Sequence, residues 1–150
     1  MKKLFTFCAT ALLAFTLSAQ SEHAAGSIYL GTGDATQLLK LFSDDGISMS
    51  ATIGYAVQDD VVVTGTVVPG GGEAGDENVM DLGVIYYTNG FGFGLSINDA
   101  MEANGERAMA LSVGKYLTLG DISDHLYVMP MISIDEDQNM TSSISFGMRF

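Results

Sequence analysis

The chain is poor in several things at once, and each scarcity removes a class of protein. Its single cysteine, Cys8, lies within the first twenty residues. Beyond them there is no disulfide, no thiolate nucleophile and no cysteine metal site. Six basic residues stand against eighteen acidic ones, for a formal net charge of −12. Nucleic acid and anionic headgroups would be repelled by such a surface, so neither is expected as a charge-driven partner. No segment approaches the ~20 continuous apolar residues of a transmembrane helix. No stretch sustains a 3.6-residue apolar repeat, and there is no heptad or low-complexity tract. Prolines number two, while glycines number eighteen, a balance that suits a turn-rich β protein.

What is present begins with a leader. Lys2 and Lys3 precede a nearly unbroken apolar stretch from Leu4 to Leu17. Leu17-Ser18-Ala19 then offers a cleavage site before Gln20, so residues 1–19 read as a secretion signal peptide. Removing them leaves residues 20–150, enough for one domain, with Lys40, Arg107, Lys115 and Arg149 against all eighteen acidic residues.

Alternation with period two dominates the remainder. It predicts strands near 26–33, 46–57, 60–68, 78–88, 91–98, 107–118, 125–134 and 140–150. In the last, Ile144, Phe146, Met148 and Phe150 share one face, and Ser143, Ser145, Gly147 and Arg149 share the other. In the second, Ile47, Met49, Ala51, Ile53 and Tyr55 alternate with Ser48, Ser50, Thr52 and Gly54. The third, Val61 to Val68, is apolar on both faces and its phase is ambiguous. Asn89-Gly90 is the favoured two-residue hairpin turn, because both positions need positive φ. That turn pairs Thr88 with Phe91, Tyr86 with Phe93, Val84 with Leu95 and Leu82 with Ile97. The opposite face then pairs Tyr87 with Gly92, Ile85 with Gly94, Gly83 with Ser96 and Asp81 with Asn98.

The non-apolar face decides the surroundings. A soluble barrel would cover its outside with Lys, Glu and Thr, whereas these strands alternate their large apolar residues with Gly, Ala, Ser and Thr. Such small side chains suit the narrow lumen of an eight-stranded barrel. The large apolar face then points outward, to hydrocarbon, which a tilted strand of ~9–11 residues can cross. Closure pairs every backbone group, as lipid demands. Short connections at Gln58-Asp59, Asn89-Gly90 and 120–124 alternate with the longer, more acidic stretches 34–45, 69–77, 99–106 and 135–139. Twelve of the eighteen acidic residues fall in those four stretches. Short periplasmic turns and long outer loops are the expected asymmetry. Tyr29, Tyr55, Tyr86, Tyr87, Phe91, Tyr116, Tyr127 and Phe150 gather near the short-turn ends, as an interfacial girdle would. The expected fold is an all-β, eight-stranded antiparallel up-and-down transmembrane β-barrel.

Two stretches carry a resemblance. Gly54-Tyr55-Ala56-Val57-Gln58-Asp59-Asp60-Val61-Val62-Val63 resembles a hairpin of the small outer-membrane β-barrel family of OmpA-type and OmpX-type proteins, in which a tyrosine-ended strand turns through acidic residues into an aliphatic one. Ser145-Phe146-Gly147-Met148-Arg149-Phe150 resembles the terminal strand that the barrel-assembly machinery reads, with Ile144, Phe146, Met148 and Phe150 as the alternating signal. The resemblance implies the outer membrane of a Gram-negative cell, with outer-membrane lipid and the assembly machinery as partners. Two features depart from it. The first loop carries the apolar residues Leu38, Leu39, Leu41 and Phe42, and Pro130 interrupts the seventh strand, which suggests a bulge.

Little in the sequence bears chemistry. His23 falls in what reads as a flexible N-terminal stub. His125 starts the seventh strand with no serine two residues on along its face, so a half-exposed interfacial histidine is expected and an enzyme is not. Asp135, Asp137 and Asn139 place oxygen ligands at alternate positions, as calcium loops do, without the glycine turn or distal glutamate of the full motif. A solvated acidic loop is the competing expectation, and no other cofactor is implied. The loop 69–77 is glycine-rich but acidic, which excludes a phosphate cradle. Asp81 and Arg149 are the charges on the small-residue face. They are expected at opposite ends of the lumen, with Asp81 hydrogen-bonded to Asn98. The function expected is a structural, adhesive or interaction role through acidic loops, towards an extracellular partner. Two alternatives stay open: a narrow channel or small-ligand-conducting barrel, and a soluble periplasmic barrel binding an apolar ligand.

Overall fold

A computed structural model of the chain describes residues 22–33, 50–68, 79–100 and 108–150. The expected signal peptide 1–19 and the apolar residues Leu38, Leu39, Leu41 and Phe42 of the expected first loop lie outside the described residues. Among those described there is no helix. The elements are β1 (Ile28–Thr32), β2 (Ala51–Gln58), β3 (Val61–Val68), β4 (Val79–Thr88), β5 (Phe91–Ile97), β6 (Met109–Lys115), β7 (Leu117–Thr118), β8 (Leu126–Asp135) and β9 (Met140–Arg149). Each pairs antiparallel with its sequence neighbour, except that β6 and β7 together form one stave running along β8. β9 returns to pair with β1 through Tyr29↔Arg149, Leu30↔Met148, Gly31↔Gly147 and Thr32↔Phe146. The sheet therefore closes into an eight-stranded up-and-down barrel.

Turn chemistry and side-chain alternation set the register together. Asn89 and Gly90 take φ of 50° and 74°, and the β4–β5 ladder runs from Leu82↔Ile97 to Thr88↔Phe91, as that turn requires. The β2–β3 connection differs from the expectation by one residue. The turn is Asp59-Asp60, with Asp60 at φ 64°, and the register slips between Ala56↔Val62 and Gln58↔Val61. Val57 is the extra residue of a small bulge, which lets an aspartate occupy the left-handed position.

Pro130 does not bulge its strand. The β8–β9 register is unbroken from Leu126↔Met148 to Ile134↔Met140. The interruption falls on the other neighbour, where the ladder stops at Gly114↔Met131 and resumes at Leu117↔Val128. A proline has no N–H to give, so the facing stave is split at Tyr116 instead.

Alternation sorts the wall into two faces. Ile53 and Leu111 are 61 % exposed, and Val63, Leu82, Val84, Phe93, Leu95, Val113, Ile132 and Ile144 lie outward with them. Tyr29, Ala56, Val62, Tyr87, Ala110, Tyr116, Tyr127 and Met129 are buried in the lumen. The ambiguous third strand resolves with Val63 and Val67 outward and Val62, Thr64 and Thr66 inward. Glycines set how closely the staves and lumen side chains approach. A Cβ on Gly114 would sit 2.6 Å from Met131 Cγ and 2.8 Å from the Pro130 carbonyl oxygen, and one on Gly92 would collide with Met129 Cε.

Candidate functional site in the barrel lumen

The lumen is divided along its axis. At the short-turn end it is closed by aromatic rings contributed by different staves: Tyr29 from β1, Tyr87 from β4, Tyr116 between β6 and β7, and Tyr127 from β8. Tyr116 and Tyr127 stack at 5.1 Å, and Tyr87 meets Tyr116 edge-on at 5.6 Å. Offset and edge-on pairs of this kind contribute about 0.5–1.5 kcal/mol each beyond their buried area.

His23 enters the same cluster from the chain segment ahead of β1. Its ring lies 3.7 Å from that of Tyr87, nearly parallel, and 4.5 Å from that of Tyr116, edge-on. Nδ1 of His23 and the hydroxyl of Tyr29 share a hydrogen bond of 2.7 Å. Backbone bonds fasten the segment around it. The amides of Gly26 and Asp60 donate to the carbonyls of Ala56 and His23 at 2.8 and 2.9 Å. The Ala25 amide donates to Asp59 Oδ1 at 2.9 Å, and the Arg149 guanidinium donates to the Glu22 carbonyl. His23 is only 3 % exposed. Burial, and then the positive charge of Arg149, hold its pKa down at about 4. The imidazole is neutral at pH 7, and it belongs to the barrel's packing rather than to a flexible stub.

Above the rings lie two thioethers. Met129 is 2 % exposed and its Sδ accepts from the Tyr87 hydroxyl at 3.7 Å. Met131 Sδ accepts likewise from Ser145 Oγ. Beyond them the lumen widens into a cavity of about 290 Å³, lined by Thr52, Thr64, Thr66, Asp81, Ser96, Asn98, Ser112, Ser133, Ser143 and Ser145 among others. Part of this lining is bonded to itself, as between the Thr52 and Thr66 hydroxyls at 2.9 Å.

The candidate residues are dispersed. Asp81 and Arg149 do face the lumen, and they stand at its opposite ends. Asp81 does not bond Asn98. Its Oδ1 accepts from the Asp99 backbone amide at 2.9 Å, while Asn98 accepts from Ser96 Oγ at 3.4 Å. Asp99 adopts φ 53°, and that left-handed turn leaves its amide on Asp81. Asp135, Asp137 and Asn139 lie in the β8–β9 turn. There the Asn139 backbone amide and side-chain amide bond both oxygens of Asp135, at 2.8 and 3.0 Å. Two of the three candidate calcium ligands thus satisfy one another. Among the described residues no three His, Cys, Asp or Glu side chains are grouped to hold a metal. His125 is exposed; its Nδ1 bonds the Arg149 carbonyl at 2.8 Å, and its ring stacks on Phe150. Ile144, Phe146, Met148 and Phe150 lie on the outer face of the terminal stave. Phe150 is tied to β1 by reciprocal 2.9 Å bonds with Ile28.

The aromatics expected to form one girdle are divided between the outer face and the lumen. Tyr55, Phe91 and Phe150 are exposed, and Tyr86 is half-exposed on the outer side. Tyr29, Tyr87, Tyr116 and Tyr127 instead share the parity of the lumen glycines and serines, and Gly54, Gly92 and Gly147 leave room beside Tyr29, Tyr87 and Tyr127. Strand parity carried that signal: Tyr87 falls opposite Gly92 in the hairpin register. Nothing in the sequence placed His23 among them.

No family model, curated protein or solved structure matches this chain.

Proposed function

We propose that this chain is an outer-membrane β-barrel of the OmpA-type and OmpX-type kind, with a non-enzymatic structural, adhesive or interaction role exerted through its acidic loops. The observation that carries the reading is the outer surface. Among the described residues twenty-four large apolar side chains are exposed, and in the described strands Lys115 is the one charged side chain directed outward. Water would make such a surface associate, whereas hydrocarbon solvates it. Lys115 stands at the short-turn end of β6 with its ammonium 4.5 Å over the Phe91 ring, a position from which a lysine snorkels to the interface.

The lumen supports a closed barrel over a conducting one. The tyrosines, His23 and Met129 fill the short-turn end, and the hydroxyl-lined cavity lies wholly on the side of the longer loops. A soluble barrel holding an apolar ligand would require an apolar cavity, whereas the cavity of this lumen is lined mostly by serine, threonine and glycine. Twelve acidic residues fall in the four sequence stretches read as the longer connections, which favours that end as the side for an extracellular partner. Most of them lie outside the described residues.

Membrane fractionation with a heat-modifiability gel tests the reading. Detergent-soluble protein whose unboiled band shifts on boiling is the expected result. Recovery in the soluble periplasmic fraction without a shift refutes it. Leu95→Arg sharpens the test: Leu95 is 49 % exposed in the middle of the apolar belt. A guanidinium there costs about 2–4 kcal/mol if the belt meets hydrocarbon, and almost nothing if it meets water. Planar-bilayer recordings with no steady opening are expected of the closed lumen.

A further inference from the structure

We propose that residues 22–27 form an acid-released latch: the segment seals the short-turn mouth of the barrel while His23 is neutral and leaves it when His23 gains a proton. The latch follows from how the segment is held. Its carbonyls and amides are bonded to the barrel rim at Ala56, Asp59, Asp60 and Arg149, all exchangeable for water. One side chain, His23, reaches into the aromatic cluster, and it is the segment's buried anchor. Whatever expels that ring removes what distinguishes the docked state from a hydrated one.

The groups around His23 determine the sign. β1 presents the Tyr29 phenol, β4 presents Tyr87, and the break between β6 and β7 presents Tyr116, with Tyr127 of β8 behind it. These are neutral at physiological pH. β5 carries no titratable group. β9 contributes Arg149, whose guanidinium is fixed on the Glu22 carbonyl. Among the described residues the acidic groups nearby are Glu22 on the segment itself and Asp59 and Asp60 on the β2–β3 turn, and Asp59 is engaged by the Ala25 amide. An imidazolium would gain cation–π attraction from Tyr87, worth about 0.5–2 kcal/mol. Against this it would lose its hydration and stand beside a second cation. The net preference for the neutral ring, expressed in its pKa of about 4, says that the losses win. Between roughly the ordinary histidine value and that one, the proton is taken up more readily by the released segment than by the docked one. The latch does not depend on what solvates the outer wall.

NMR titration of the full-length mature protein in detergent micelles, from pH 7.5 to 3.5, tests it. The amides of Gly26 and Asp60, which bond across the segment, report docking. Gly65 and Gly94 in the distant wall report the integrity of the barrel. The expected result is that the Gly26 and Asp60 signals move to hydrated values with a midpoint between pH 6.5 and 4, while Gly65 and Gly94 stay. His23→Phe keeps a ring in the cluster but cannot be protonated, so it should remain docked throughout. A wild-type segment still docked at pH 3.5 overturns the proposal. So does release of the His23→Phe segment at the wild-type midpoint, because an acidic group would then be the trigger. The wild-type titration decides even if the variant fails to fold, and the wall amides separate latch release from loss of the barrel.

Discussion

Replacing Gly31 by alanine places a methyl group where the first and last staves meet. Gly31 faces Gly147 across the seam, and a Cβ on Gly31 would lie 2.9 Å from Gly147 Cα and collide with the Phe146 carbonyl oxygen. Carbon atoms in contact prefer about 3.5–4.0 Å, so the overlap is more than half an ångström. The atoms opposite are backbone and cannot rotate aside; β1 and β9 must move apart. Overpacking costs about 1–3 kcal/mol, and a stretched ladder bond adds about 1 kcal/mol. A loss of about 3 kcal/mol is expected, or about a hundredfold in the folding equilibrium. Gly65→Ala is the control: its nearest atoms would be the ends of Met80 and Leu82, 3.8 and 3.9 Å away on the outer face. Alanine there should be neutral or stabilising by about 0.4–1 kcal/mol, through a less disordered unfolded chain. Urea titration of the heat-shifted band measures both. Equal midpoints for Gly31→Ala and wild type would show that the seam does not close in this register.

Three other perturbations have defined outcomes. Met129→Ala should lose about 2–5 kcal/mol, and adding Gly92→Ala should recover part of it, since the new methyl fills the space of the lost Cε; a double-mutant cycle showing strict additivity would contradict this packing. Gly90→Val forces a β-branched residue to φ 74° and should cost about 1–3 kcal/mol, read as a lower urea midpoint and slower appearance of the folded band. His23 binds its proton more weakly folded than unfolded, so stability should fall as pH drops from about 6.5 towards 4, by up to about 3 kcal/mol. That slope should be missing in His23→Phe, and an unchanged slope would assign the pH dependence elsewhere.

The wall was legible in the sequence because two local rules spoke about the same residues. Asn89-Gly90 demanded a register, and alternation demanded that the same register put Val84 on Leu95. The lumen was less legible, because alternation gives the side a residue faces and not its depth or company. Tyr87 was placed opposite Gly92, yet its meeting with Tyr116 depends on how staves stagger around a closed circumference, a property of the whole barrel. Pro130 shows the same limit. Its missing N–H was evident, but which neighbour would bear the gap depends on which side of β8 that position's hydrogen bond would serve. His23 gave no local sign at all, since its burial rests on contacts with Tyr29, Tyr87 and Tyr116 rather than on its flanking residues.

The split at Tyr116 has a mechanical consequence. A cylinder of hydrogen-bonded staves carries load as hoops, and each hoop is as strong as its weakest rung. Beside Pro130 the rungs between β6–β7 and β8 are absent, while the opposite edge of β8 is continuous. Tyr116 instead anchors backwards, its amide on the Gly90 carbonyl at 2.8 Å. Under tension or thermal breathing the cylinder should therefore tear lengthwise along this line. The free edge would be β8, swinging out with β9 as a hinged flap that stays fastened to β1 through Phe150 and Ile28.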